Sequence, residues 1–535
     1  MKVLGIEGTA HTVSCGIIDP HRIYSNVSHT LESESGGIHP RDAAIHHSEY
    51  VLPVITEALG KSGLSLKDID LVAFSRGPGL GPCLRVVATA ARALSQKAEI
   101  PILGVNHPLG HVEIGRRLTG ARNPIMLYVS GGNTQVIAHI QGRYRVLGET
   151  MDIGLGNLLD KLGRDIGLPF PGGPGIERYA NLGTNLLDLP YSVKGMDTSF
   201  SGIYTAARRL LVQGSAIEDV CFSVQEHTFA MLIEVLERAM HQTGKKEVLL
   251  AGGVARNRRL KLMLEKFSLE AGVKFYPTDP EYCMDNGAMI AQAGLLMYGN
   301  GARQQIEETT VDQRFRIDQV PVPWIEDEAP VPDSFSGAES TIKRTTFHGR
   351  EVVVKERLKK RYRNRILDSR LRQIRARNEI LVMQKISESG CLTPVVYDFE
   401  ADIPSTTFGL IPGRTLSEFL SSEPFENSSK VLRRIGSEVA SFHSRGVSHG
   451  DLTPSNIVIG VGDTPYFIDT SLGKADCTSN DAATDIFLFN GSLASLNNDT
   501  GDMFRSFMEG YAEKSKDLKL VNEELLKIER RRRYV

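Results

Sequence analysis

The chain has 535 residues, 41% of them hydrophobic and 24% charged, with a formal net charge of −2. One hydrophobic core rarely serves more than about 250–300 residues, so two or three domains are expected. No stretch approaches the roughly 18 apolar residues of a membrane-spanning helix, and the six cysteines are scattered without C-x-x-C spacing, so a cytoplasmic protein with reduced thiols and no membrane partner is expected.

Met1 to Ile6 reads as a first core strand rather than a signal peptide. It opens a strand, a polar turn at Glu7-Gly8-Thr9-Ala10-His11-Thr12, and a second strand from Val13 to Ile18. The plan recurs at Met126-Leu127-Tyr128-Val129-Ser130-Gly131-Gly132-Asn133-Thr134, followed by Gln135 to Ile140. Short apolar runs around Gly/Thr/Asn turns are hairpin signals. Their repetition predicts a duplicated subdomain with a cleft between the halves. A tight Gly turn bares backbone N–H groups, and a Thr or Ser hydroxyl adds a donor, a combination suited to phosphate.

Between the hairpins lies Asn106-His107-Pro108-Leu109-Gly110-His111. Asn106 suits an N-cap, and Pro108 is tolerated in a first turn. On such a helix, His107 and His111 share one face, as a metal needs. A zinc protease would need H-E-x-x-H; Pro108 stands where its glutamate belongs, so that chemistry lacks its base. Further on, Glu247 to Asn257 reads as strand, Gly-Gly, then helix, with glycines that let backbone approach a flat ligand.

These segments, together with Asp160-Lys161 through Pro171-Gly172-Gly173-Pro174, closely resemble the universal tRNA threonylcarbamoyltransferase family, earlier described as O-sialoglycoprotein endopeptidases. The resemblance covers nearly all of residues 1–323. It implies an α/β fold, a duplicated actin/Hsp70-like (ASKHA) nucleotide-binding domain. It also implies transfer of threonylcarbamoyl from threonylcarbamoyl-AMP to N6 of adenosine 37 in tRNAs that read A-starting codons. By matching position, Tyr128, Val129, Ser130, Gly131, Gly132 and Asn133 would bind the substrate around its phosphate. Asp160, Gly173, Glu177 and Asn257 would hold ribose and base. Tyr128 and Asp285 would join His107 and His111 as metal ligands. Two imidazoles, a phenolate and a carboxylate suit iron, zinc or manganese better than copper(I); iron(II) is favoured, with zinc(II) the alternative. Glu7 stands where the wider superfold often has Asp, which argues against direct ATP hydrolysis by this domain.

Pro321 to Asp333, with four prolines and an acidic run, reads as an extended linker, placed at 324–335. Beyond it the chain turns basic from Lys343 to Arg377. His449-Gly450-Asp451-Leu452-Thr453-Pro454-Ser455-Asn456 matches the kinase catalytic loop H-x-D-x-x-x-x-N. There Asp451 would orient the attacking hydroxyl and Asn456 would hold magnesium. Asp469, after the strand Tyr466-Phe467-Ile468, suits the second magnesium ligand. Lys355 suits the strand lysine that grips ATP phosphates, and Glu379 its ion-pair partner. There is no G-x-G-x-x-G, only Gly337 near the expected place, no A-P-E, and no long activation segment.

Residues 336–535 resemble the small atypical kinase/ATPase of the KEOPS complex. The resemblance implies a small bilobal, kinase-like α+β domain, with lobes at about 336–412 and 413–535. ATP with Mg2+ and the other KEOPS subunits are then expected partners. The run Arg530-Arg531-Arg532-Arg533, and the basic region from Lys355 to Arg377, are expected to face tRNA phosphates. The leading expectation is a bifunctional tRNA-modifying enzyme. A signalling kinase tethered to a nucleotide-binding regulator, and a non-catalytic RNA clamp, are the competing readings.

Overall fold

The structure, a computed structural model, describes residues 1–31, 39–326, 340–400, 403–494 and 501–532. They fall into two units: Met1–Tyr191 with Thr198–Pro332, and Ser192–Asp197 with Asp333–Tyr534.

The first unit contains the expected duplication. One five-stranded sheet runs, in spatial order, Ile23–Thr30, Thr12–Ile18, Val3–Glu7, Leu71–Gly77 and Ile102–Asn106. The first three strands are antiparallel, and the last two join in parallel. The second sheet repeats that order with Arg143–Glu149, Thr134–Ile140, Ile125–Val129, Glu247–Ala251 and Lys274–Pro277. The paired strands at the heart of each sheet are apolar and buried, as parallel strands covered on both faces must be.

Two helices, His107–Thr119 and Gly287–Gly299, carry the core from one sheet to the other. Val3, Ala73, Leu109, Val112, Met126, Leu249, Met289 and Ile290 belong to a single buried cluster. The second of these helices lies directly on strand backbone. A Cβ on Gly5 would fall 2.3 Å from Ala291 N, and one on Gly16 would fall 2.2 Å from Ala288 N. Only glycine permits that approach.

The stretch read as a linker begins inside this core. Val322 is fully buried, and its N–H donates to Gly142 O at 2.8 Å. Ile325 is buried as well, and Trp324 Nε1 donates to Glu113 Oε1 at 3.0 Å. The apolar side chains between the prolines decide the matter, because their burial outweighs the linker-like composition. The rest of the linker, with Gly337, lies outside the described residues.

In the second unit a four-stranded antiparallel sheet, ordered Ser340–Phe347, Arg350–Arg357, Ser405–Gly409 and Val396–Glu400, is tied to helix Arg365–Glu388 by Lys355 and Arg357 on Glu379. A small sheet of Arg414–Thr415, Ile457–Gly460 and Thr464–Phe467 follows, among five helices between Leu416 and Arg532. Helices Phe425–His443 and Gly501–Lys514 cross at Gly436 and Gly510, where a Cβ would strike the opposite backbone.

The basic region does not present all of its cations to solvent. Lys360, Arg363 and Arg375 are buried. Arg372 Nε donates to Asp368 at 2.9 Å, and Arg357 reaches Glu379 at 2.7 Å. Asp368 and Glu379, both buried, hold Arg372 and Arg357 in this way, since a buried carboxylate must be paired. Lys359, Arg361, Arg365 and Arg377 remain exposed. Arg533 lies outside the described residues, as do the side chains of Arg530, Arg531 and Arg532.

Candidate functional site

Three elements of the first unit deliver side chains to one point. Asn106 ends a strand and caps the following helix, its Oδ1 accepting from Leu109 N at 3.1 Å. The cap starts the helix at His107, so His111 sits one turn later on the same face. Asp285 precedes Asn286, whose Oδ1 caps helix Gly287–Gly299 through Met289 N at 3.0 Å. Tyr128 lies near the end of its strand and is 1% exposed.

His111 Nε2 is 3.3 Å and His107 Nε2 3.5 Å from Asp285 Oδ1. Tyr128 Oη is 3.4 Å from His107 Nε2. One ligand atom each from His107, His111 and Asp285 can lie within 4.8 Å of the others, a set that could hold a metal ion. Burial opposes ionisation of Asp285, yet the two imidazoles hold it well below the usual carboxylate range. Burial also pulls His107 down, but Glu7 and Asp285 outweigh it and carry the imidazole up to about 9. His111 is lowered, chiefly by burial and further by the charge of His107. Burial, with Asp285 nearby, pushes the Tyr128 phenol well up. A buried cluster of two imidazoles, a carboxylate and a phenol fits a first-row divalent ion.

The second hairpin turn stands beside this cluster in sequence. Ser130 N donates to Asn133 O at 2.7 Å, and Asn133 N to Ser130 Oγ at 3.1 Å, which leaves Gly131 and Gly132 exposed at the tip. The start of helix Leu155–Asp165 abuts it through Gly156 N to Ser130 O at 3.1 Å. An exposed Gly-Gly tip at a helix start is a ready anion site. The first hairpin turn differs from expectation. Thr9 spends both its N–H (2.8 Å) and its hydroxyl (2.6 Å) on Glu7 Oε1, so that hydroxyl is committed to the protein's own carboxylate and not to a phosphate.

Asp160 accepts from Gly172 N at 2.8 Å, just before helix Gly173–Ala180. Its burial raises the carboxyl pKa. Glu177 Oε1 accepts from Arg258 N at 2.8 Å. Asn257 caps helix Arg258–Ala271 through Leu260 N at 3.1 Å, and its amide donates to Gln225 Oε1 at 3.0 Å. Both ends of the Asn257 side chain are therefore engaged within the fold.

In the second unit, Lys355 Nζ lies 2.7 Å from Glu379 Oε1 and 2.8 Å from Asp469 Oδ1. Burial opposes the charge on Lys355, but Asp469 and Glu379 raise its pKa and keep it an ammonium. Asn456 Nδ2 donates to Asp451 O at 2.9 Å and to its Oδ2 at 3.2 Å. Lys355, Glu379 and Asp469 thus form one set of short polar contacts, and Asn456 with Asp451 a second. Asp485, which the motifs do not reveal, accepts His449 N at 2.6 Å, Gly450 N at 2.8 Å and His443 Nε2 at 3.2 Å. Its signal in the sequence is a lone carboxylate in the apolar run Ile486-Phe487-Leu488-Phe489, which must find donors if buried. Arg357, a second cation on Glu379, was also unmarked.

The sequence model of the family described as "TsaD: tRNA N6-adenosine threonylcarbamoyltransferase" matches residues 22–292. A "Probable bifunctional tRNA threonylcarbamoyladenosine biosynthesis protein" of Thermoplasma acidophilum is 53% identical over 535 residues, covering 100% of both chains. One of the same description from Methanocaldococcus jannaschii is 41% identical over 543 residues, again covering 100% of both. Among solved structures, HypF of T. kodakarensis matches 56% of this chain and 48% of its own at 16% identity, with a TM-score of 0.43.

Proposed function

The chain belongs to the family of bifunctional tRNA threonylcarbamoyladenosine biosynthesis proteins and is a tRNA threonylcarbamoyltransferase; we propose that its first unit carries the transfer and its second unit serves it as a kinase-like ATPase. The observation that carries the first part is the convergence of His107 Nε2 and His111 Nε2 on Asp285, with Tyr128 Oη against His107 Nε2.

In this reading His107, His111, Tyr128 and Asp285 hold one transition metal, iron(II) favoured. Such an ion supplies Lewis acidity toward a phosphate or carbamoyl oxygen. The Gly131-Gly132 tip receives the adenylate phosphate, and Asp160, Gly173, Glu177 and Asn257 frame its nucleoside. The N6 amine of adenosine 37 attacks the carbamoyl carbon. A C–N bond forms, the bond from that carbon to the phosphate oxygen breaks, AMP leaves, and the amine gives up one proton.

In the second unit Lys355 grips ATP phosphates, Asn456 and Asp469 hold magnesium, and Asp451 orients the attacking oxygen. The short contacts among these side chains support that division of roles. KEOPS subunits are the proposed partners.

The reading is tested by supplying threonylcarbamoyl-AMP, tRNA and the partner subunits and scoring modified adenosine. Wild type should modify, and His107→Ala and Asp285→Ala should not. Normal modification by both variants would sink the metal assignment. Radiolabelled ATP should yield free phosphate rather than labelled protein; stoichiometric phosphoprotein would favour a signalling kinase.

A further inference from the structure

We propose that Glu7 is a positioning residue of the metal site, fixing His107 so that its Nε2 lone pair faces the ion; the inference rests on the metal reading above. Glu7 is fully buried at the end of its strand. Its Oε1 is held from two sides, by Thr9 N at 2.8 Å and Thr9 Oγ1 at 2.6 Å. Among the described residues its Oε2 has no hydrogen-bond partner, and it stands 3.1 Å from His107 Nδ1 as an ion-pair contact.

The tautomer follows from what faces each ring nitrogen. Nδ1 meets Glu7 Oε2 and, at 3.3 Å, Thr9 Oγ1. The Thr9 hydroxyl proton already goes to Glu7 Oε1, so both atoms facing Nδ1 are acceptors. Nδ1 must therefore carry a proton. In the neutral ring that leaves Nε2 bare, on the side of Asp285 and Tyr128. A carboxylate behind a histidine ligand fixes the ring and raises its basicity. His111 has no such support among the described residues, where its buried Nδ1 has no hydrogen-bond partner. The same contacts set the side-chain length required at this position. An aspartate, one methylene shorter, would retract the carboxylate from the ring.

The test is metal binding by the full chain, measured with zinc(II) and cobalt(II) by chelator competition. Glu7→Gln should bind roughly 10–100-fold more weakly than wild type. Glu7→Asp should also bind more weakly, although it keeps the charge. Wild-type affinity in Glu7→Gln would overturn the proposal. Should a variant fail to fold, the wild type itself decides. Nitrogen-15 NMR of the histidines in the zinc-loaded protein should show His107 with Nδ1 protonated and Nε2 metal-bound; zinc on Nδ1 would overturn the proposal. If wild type takes up no metal, the metal reading of the site fails instead, which is a separate result.

Discussion

Asp485 Oδ2 accepts the backbone N–H of His449 at 2.6 Å, across 36 residues of chain. The same carboxylate takes Gly450 N and His443 Nε2, so one buried acid pins the loop that presents Asp451. Asp485→Ala would leave three donors, two of them buried, without that acceptor. It should cost the second unit roughly 3–5 kcal/mol, read by calorimetric unfolding, and ATP turnover should fall with it.

Lys355 shares Glu379 with Arg357, whose guanidinium lies 2.7 Å from Glu379 Oε2. Lys355→Met therefore leaves Glu379 paired. The variant should keep its fold while ATP hydrolysis drops about 100-fold or more, the usual effect of losing a donor on developing charge. Steady-state phosphate release, with circular dichroism as the fold control, separates the two effects.

Gly5 and Gly16 lie against the backbone of helix Gly287–Gly299. Alanine at either has no side-chain tip to push aside, only main chain. Each substitution should destabilise the first unit by about 3 kcal/mol, measured by denaturant unfolding. Gly132, with nothing near its Cβ position, should tolerate alanine at little cost in stability.

The raised pKa of His107 sets how metal uptake depends on pH. With its metal-free value up to about 9, His107 carries a proton at pH 7 that must leave when an ion binds, whereas the lowered His111 is already neutral. His107 and the Tyr128 phenol should each give up a proton on ligation, so affinity should rise by up to about a hundredfold per pH unit below pH 9 and about tenfold per unit above it. About two protons should be released, counted by calorimetry in buffers of different ionisation enthalpy. In the metal-free protein the sign for stability is opposite. The charged His107 contributes fully below the unfolded value of 6.5, and its contribution is lost as pH rises through about 9.

Much of this was legible where a function depends on local spacing. The two hairpins, the Asn106 cap with His107 and His111 behind it, and the loop from His449 to Asn456 are each a matter of a few adjacent residues. What stayed hidden is contact across the chain. Nothing near Glu7 in sequence points to a histidine one hundred residues on. The linker composition masked Val322, Trp324 and Ile325, because prolines and acids flank side chains that the core claims. The basic region shows the converse: Asp368 within it and Glu379 just past its end are buried, and a buried acid recruits its own cations.

The contact between Trp324 and Glu113 has a practical consequence. Trp324 is the only tryptophan in the chain, and it is packed where the first unit ends. Its fluorescence therefore watches that unit alone, with a glutamate on its indole N–H as a sensitive neighbour. Melting of the second unit should pass without a change in emission, so a single intrinsic dye separates the two transitions that circular dichroism would blend.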